Sequence, residues 1–282
     1  MQVPFSTAAG GRVERALRRA QSRLVVLNKS DLACDALAPT VRTHLQGQGL
    51  RSVHLDARQP DDIRRLLQLV RKRATECQRQ AEFQTMPCRM AVVGVPNTGK
   101  STLLNQLRRS ATRSKGRAKT GDTPGVTKHL SYSRISHRPP VLLLDTPGIM
   151  PPGNLASETG LALALTGGVA DKLLEPAVLA DFLLFHLNRQ RCSGYARRYA
   201  MPGPADSIEQ VLDAIVAARG VLVRSGKQRR ADPEAQRQRA AMLMVRDFRK
   251  GRLGRLTIDD VPEAVVGRHN TRPAPGRATP RD

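Results

Sequence analysis

Residues 94–101 read GVPNTGKS, a GxxxxGKS pattern into which the apolar run AVVGV leads and which opens a stretch of helical spacing. These types at this spacing suit a polyphosphate. Gly94 and Gly99 let the backbone wrap oxygens closely, Lys100 reaches the outer ones, and Ser101 offers a hydroxyl to Mg²⁺, all at a helix N-terminus. Asn97, Thr98 and Thr102 complete the expected phosphate-binding set around Gly99, Lys100 and Ser101. DTPG at 145–148 follows VLLL, so Asp145 is expected at a strand end beside Mg²⁺, with the Gly148 amide against the terminal phosphate. NKSD at 28–31 carries base-reading chemistry. The Asp31 carboxylate can accept hydrogen bonds from guanine N1 and N2, a donor pair adenine lacks, and such bidentate pairs discriminate by about 1 to 3 kcal/mol. Asn28 and Lys29 would brace that loop and stack beneath the ring, while the Ala57 amide, within DAR at 56–58, would meet the guanine oxygen.

The order of these motifs is permuted: NKSD precedes the phosphate loop, where an ordinary GTPase domain opens with that loop. Short apolar runs must therefore deliver the loops to one place in a shifted order. Leu24 to Leu27 and Val53 to Leu55 read as buried strands ending at NKSD and DAR, with further strands over Arg89 to Val95 and Val141 to Leu144. Helical spacing covers Ala38 to Gly47, Asp61 to Arg79 and the segment from Ser101 to Arg108. Ile63, Leu66, Leu67 and Val70 form one apolar stripe, with Arg64, Arg65, Arg71 and Lys72 facing water. This alternation implies an α/β domain with a mostly parallel sheet and helices on both faces. Ser110 to Lys128, rich in Gly, Thr, Lys and Arg, reads as a mobile switch. Past Pro151 only helices are expected: Glu158 to Leu165, Leu173 to Leu187, Ser207 to Ala218 and Glu234 to Lys250. The division is then 1–152 for the nucleotide-binding domain, 153–262 for a helical domain, and 263–282 for a Pro-rich, disordered tail.

The chain of 282 residues carries 47 Lys and Arg against 24 Asp and Glu, a formal charge of +23. That excess favours a polyanion partner, and RNA is the expected one. With five Phe, three Tyr and no Trp, contact should fall on backbone phosphate and shape rather than stacked bases. Arg189 to Arg198 and Arg224 to Arg230 read either as solvated helix faces or as phosphate contacts. Cys34, Cys77, Cys88 and Cys192 form no CxxC pair, so reduced structural thiols are expected rather than a zinc or redox site. No apolar run approaches the roughly eighteen residues of a membrane span. Arg-rich residues 11 to 23 read as a surface helix, with an organellar transit peptide as the alternative.

The succession NKSD, DAR, GVPNTGKS, GDTPGVTK, LLLDTPG and ETGLALALTGGVAD resembles the circularly permuted ribosome-assembly GTPases of the YlqF type, most closely their mitochondrial branch. The resemblance runs from residue 3 to about 260 and implies GTP and GDP as ligands with Mg²⁺. It assigns Thr127, in PGVT, as the switch threonine that closes on Mg²⁺ with Ser101 and Asp145, and Asn97 as a ligand for K⁺, with a loop-bracing amide as the other reading of Asn97. Thr127 and Gly148 are then the catalytic candidates. Ile149 and Met150 stand where many GTPases carry a water-orienting Gln, so unassisted hydrolysis should be slow and completed by a cation and the ribosomal surface. The implied partners are the large ribosomal subunit and its rRNA, with peripheral contact to the inner mitochondrial membrane and a monomeric state. The implied place is the mitochondrial matrix, with plastid or bacterial cytoplasm as alternatives.

One departure is plain: the family's PGHM helix and DARxPLS strand have no counterpart before Val3 to Ser6. A chain begun at an internal methionine is the simplest account, and a shortened paralogue is the other. The lost strand would lie inside the sheet, leaving neighbouring amides and carbonyls unpaired at about 1 to 3 kcal/mol each if buried. A hydrolysis-impaired RNA-binding relic and an ATP-dependent P-loop enzyme are the rival functions. Glu158, Thr159 and Gly160 are expected to cap a helix.

Overall fold

The computed structural model describes residues 23–80, 86–113, 132–144, 157–219 and 232–259. In strand β1 (Leu24–Asn28), Leu24 and Val26 pack toward one helical layer while Val25 and Leu27 pack toward the other. Burial on both faces is why this run is apolar throughout. Helix α1 (Ala38–Gly47) covers one face with Val41 and Leu45, joined by Leu50. Helices α2 (Pro60–Gln80) and α3 (Lys100–Arg113) cover the other with Ile63, Leu66, Leu67, Val70, Leu103, Leu104 and Leu107. Pro60 opens α2 and is followed by Asp61 and Asp62, acids that suit the positive end of a helix.

Strand β2 (Arg51–Leu55) runs parallel to β1 with Asn28 opposite Leu55, so NKSD and DAR leave the same end of the pair. Strand β3 (Cys88–Ala91) runs parallel to β5 (Pro140–Leu144), and β4 (Tyr132–His137) lies antiparallel on the other side of β5. The ladders are therefore β1-β2 and β3-β5-β4. No ladder joins β1 to β3 among the described residues, in a sheet from which an inner strand is expected to be missing. Side-chain packing spans the interruption instead. Val53 and Leu55 of β2 share a core with Ile135, Val141 and Leu143 of the other sheet, and α2 packs against β2, β3 and β5.

The remaining elements are helical: α4 (Glu158–Leu165), α5 (Pro176–Arg189), α6 (Gly194–Arg198), α7 (Ile208–Arg219) and α8 (Pro233–Arg249). Three of these helices have a local start signal. Ser157 caps α4 by accepting the Gly160 N–H at 3.1 Å, Pro176 opens α5, and Asp232 accepts the Glu234 N–H ahead of Pro233. The capping residue is thus Ser157, with the expected Glu158, Thr159 and Gly160 forming the turn it caps. Leu165, Leu179, Leu183, Leu187, Tyr195, Ile215 and Met244 fill the common core.

Several boundaries differ from the sequence reading. The strand expected over 89–95 leaves its ladder at Ala91 because Val95 is drawn into the helical core. β4 was not foreseen: YSRISH buries only Ile135 and Ser136, so it carries little apolar signal. Helix α3 continues to Arg113, taking 110–113 out of the expected switch, and 114–128 lie outside the described residues. The helix expected from Leu173 begins at Pro176, after a 3-10 turn over Asp171–Leu173. Arg71 is half-buried, with its Nε donating to Ser136 Oγ at 3.1 Å, rather than facing water. The tail from 263 lies outside the described residues.

One buried charge anchors the helical core. Asp247 accepts from Arg198 Nε at 2.5 Å, Arg252 Nη1 at 3.0 Å and Tyr199 Oη at 3.3 Å, and is 1% exposed. Burial pushes its carboxyl up, but the hydrogen bonds from Arg198 and Arg252 outweigh this and hold it below its ordinary value. This stabilisation is complete above about pH 4, the unfolded-state range, and is lost as pH falls through the lower folded value. Asp247→Ala strands Arg198 and the Tyr199 hydroxyl, and should destabilise by about 3 kcal/mol in urea unfolding at pH 7. The difference from the parent should shrink below pH 4.

Candidate nucleotide-binding site

Asn28, the last residue of β1, joins three loops through one side chain. Its Nδ2 donates to the Thr98 carbonyl at 2.8 Å, and its Oδ1 accepts the Ala57 N–H at 2.9 Å. The base loop, DAR and the phosphate loop are thereby brought together from positions far apart in sequence. The approach is close enough to dictate Gly99. A Cβ there would lie 2.2 Å from Asn28 Nδ2, and the residue holds φ +92°. Lys29, at φ 58°, sends Nζ to the Asn97 carbonyl at 3.0 Å. Burial, and then the nearby Arg249 charge, lower its pKa, while Asp31 opposes them.

At the base end, Asp31 stands in a 3-10 turn over Ser30–Leu32. Its Oδ2 accepts from Arg58 Nη2 at 2.7 Å, whereas Oδ1 is buried and has no hydrogen-bond partner among the described residues. Arg58 also forks onto Asp56 through Nε at 2.9 and 3.2 Å and Nη2 at 2.9 Å. At the phosphate end, Lys100 and Thr98 turn back on their own loop: Lys100 Nζ donates to the Val95 carbonyl at 2.5 Å and Thr98 Oγ1 does so at 3.0 Å. Burial lowers the Lys100 pKa. Ser101 and Thr102 are exposed in the first turn of α3, which holds no acidic residue. That end is an electropositive seat for an anion. The Ala57 amide, expected on the base, is engaged by Asn28. Thr127, Asp145, Gly148, Ile149 and Met150 lie outside the described residues, so of the expected Mg²⁺ ligands only Ser101 is placed.

A loop-bracing amide is one of the two roles expected of Asn97, but sequence reasoning missed that its partner, and those of the base loop, lie in the helical part. Asn97, at φ 58°, donates Nδ2 to the Gly167 carbonyl at 2.7 Å. Leu256 N–H donates to the Leu32 carbonyl at 3.2 Å, and Cys34 N–H donates to Thr257 Oγ1 at 3.3 Å. Gly251, at φ +70°, could not carry a Cβ without meeting Leu32 Cδ2 at 2.6 Å. Glycines in TGG at 166–168 and KGRLG at 250–254 were the available signal, since each marks a turn or a close approach.

The Gly99 constraint is directly testable. Gly99→Ala should weaken guanine-nucleotide binding at least about tenfold, through a strained φ and displacement of Asn28, as read by titration calorimetry.

Residues 89–214, which include the phosphate loop but not NKSD, match the family model described as 50S ribosome-binding GTPase. Over 244 residues the chain is 34% identical to mitochondrial ribosome-associated GTPase 1 of Ictalurus punctatus, covering 84% of this chain and 76% of that protein. The Mus musculus protein of the same name is 36% identical over 242 residues, 84% of this chain and 74% of its own length. Ribosome biogenesis GTPase A of Priestia megaterium is 30% identical, with 86% and 81% covered. Among solved structures, GDP-bound TM YlqF superimposes with a TM-score of 0.51 at 24% identity, covering 85% of this chain and 83% of that one. GNP-bound YlqF from T. maritima gives 0.53 at 22%, covering 85% and 82%. Those two likenesses speak for the fold, and the curated relatives, matched over most of their length, speak for descent. The chain belongs to the YlqF-type ribosome-biogenesis GTPases.

Proposed function

We propose that this chain is a GTP-hydrolysing assembly factor of the large ribosomal subunit, acting in the mitochondrial matrix and holding rRNA in its GTP state. The observation that carries the reading is the convergence at Asn28, which draws the base loop and the phosphate loop together across 70 residues. The residues present fit the ligand. The orphaned Asp31 Oδ1 lacks the donor that a guanine edge offers, and Ser101, in the acid-free first turn of α3, would hold Mg²⁺ beside the phosphates. Bound GTP with Mg²⁺ supplies an electrophilic terminal phosphate. Toward it, Lys100 would exchange the Val95 carbonyl for phosphate oxygens, and Asn97, whose Nδ2 is held by Gly167, would offer its Oδ1 to K⁺.

In this reading residues 1–152 form the G domain, with Thr127, Asp145 and Gly148 as its switch, Mg²⁺ and terminal-phosphate groups. Residues 153–262 dock on RNA. The charge of +23 supports phosphate contact. No helix among the described residues is long and apolar enough to cross a membrane. The family resemblance is what suggests peripheral contact with the inner mitochondrial membrane. The factor acts as a monomer. Without a glutamine after DTPG, turnover is slow until K⁺ and the ribosomal surface complete the site, and hydrolysis then releases the factor.

Binding and turnover measured with GTP and ATP in K⁺ and Mg²⁺ test this. GTP should bind and turn over slowly. Asp31→Asn should shift preference toward xanthine nucleotides, and Lys100→Ala should abolish binding of either base. Unchanged selectivity in Asp31→Asn would defeat the guanine assignment.

A further inference from the structure

The Arg58 side chain touches the two acids that flank the base end of the site. Its fork is fixed on Asp56, a carboxylate only 5% exposed, which also accepts the Arg58 N–H at 2.9 Å. From that anchor Nη2 reaches Asp31 Oδ2 at 2.7 Å. Asp56 is held in turn, since its own N–H donates to Asp62 Oδ2 at 2.8 Å at the start of α2. Arg58 is thus secured on its Asp56 side and reaches Asp31 from there. The Arg58 side chain is 67% exposed and that of Asp31 30%, so the pair is open to displacement from solvent.

The chemistry of the displacing group follows from the occupant. A guanidinium presents N–H donors on neighbouring nitrogens around one carbon, and guanine carries that same unit at N1, C2 and N2. We propose that Arg58 is a base-competing residue, which occupies Asp31 in the nucleotide-free protein and yields it to the guanine edge. This rests on the reading of Asp31 as the base-recognition carboxylate. Entry of the base replaces the single Nη2 contact on Asp31 Oδ2 with the N1 and N2 donors and leaves Arg58 on Asp56. Arg58 thereby keeps a reading carboxylate neutralised while the site is empty, and lowers apparent affinity by the strength of the contact that must be broken. A half-exposed ion pair has limited strength, which sets a modest scale for the effect.

Fluorescent GDP titrations of the full chain test the competition. Arg58→Ala should bind GDP roughly twofold to fivefold tighter than the parent, with a faster association rate. Arg58→Lys keeps the positive charge beside Asp56 but cannot fork across both acids, so it should lie between the two. In an Asp31→Asn background read with xanthosine diphosphate, Arg58→Ala should change affinity little, because the ion pair is already gone. Unchanged or weaker GDP binding by Arg58→Ala overturns the proposal. Should that variant fail to fold, unchanged GDP affinity in Arg58→Lys does so. Parent protein that binds no GDP, or an Asp31→Asn protein with no move toward xanthine, overturns the underlying site assignment instead. Neither of those outcomes involves Arg58, so the two failures are separable.

Discussion

The amide of Asn28 is the constraint on which the site depends. Donating to Thr98 and accepting from Ala57, it uses both ends of one short side chain to set the spacing of loops delivered by β1, β2 and β3. A side chain with only donors or only acceptors could not do this. The parallel register that places Asn28 opposite Leu55 brings Ala57 within reach, and the absence of a side chain at Gly99 lets the phosphate loop close on the amide. Permuting the chain changes which loop is synthesised first but leaves this three-way contact available, because it is made between strand ends.

The helical half is a structural partner of the site as well as its neighbour in sequence. Val95 of the phosphate loop lies in the helical core, Asn97 is tied to Gly167, and the segment after α8 is hydrogen-bonded to the base loop at Leu32 and Cys34. Arg249 links these contacts. It donates to the Leu165 and Ala164 carbonyls at the end of α4, pairs with Asp171, and lowers the Lys29 pKa through its charge. A change at the nucleotide loops therefore has a short physical route into the surface proposed to meet RNA.

Much of this was legible in the sequence where the signal was local. Helices over Ala38–Gly47 and Glu158–Leu165 have their expected bounds, and α2 differs by a residue at each end, because amphipathic spacing and proline or serine starts are written into neighbouring residues. The strands ending at NKSD and DAR were legible for the same reason. What escaped depends on distant partners. β3 ends early because Val95 is claimed by helices far downstream, and β4 is held by pairing with β5 although its own residues are mostly polar. In the site, the residue types were readable and their present partners were not. Nothing near Asn97 announces Gly167, and nothing near Asp31 announces that Arg58 would hold it.

Among the described residues no ladder joins β1 to β3, and this gives the molecule a grain, like that of split timber. Across most of a sheet, backbone hydrogen bonds resist shear, but along this line, among the described residues, the greasy underside of α2 and α3 and the side chains of Asn28 and Lys29 bind one half to the other. A ligand gripping Asp31 at one end and the α3 N-terminus at the other would lie across that line as a dowel. Its presence would stiffen the fold itself, so that occupancy and mechanical integrity become one property.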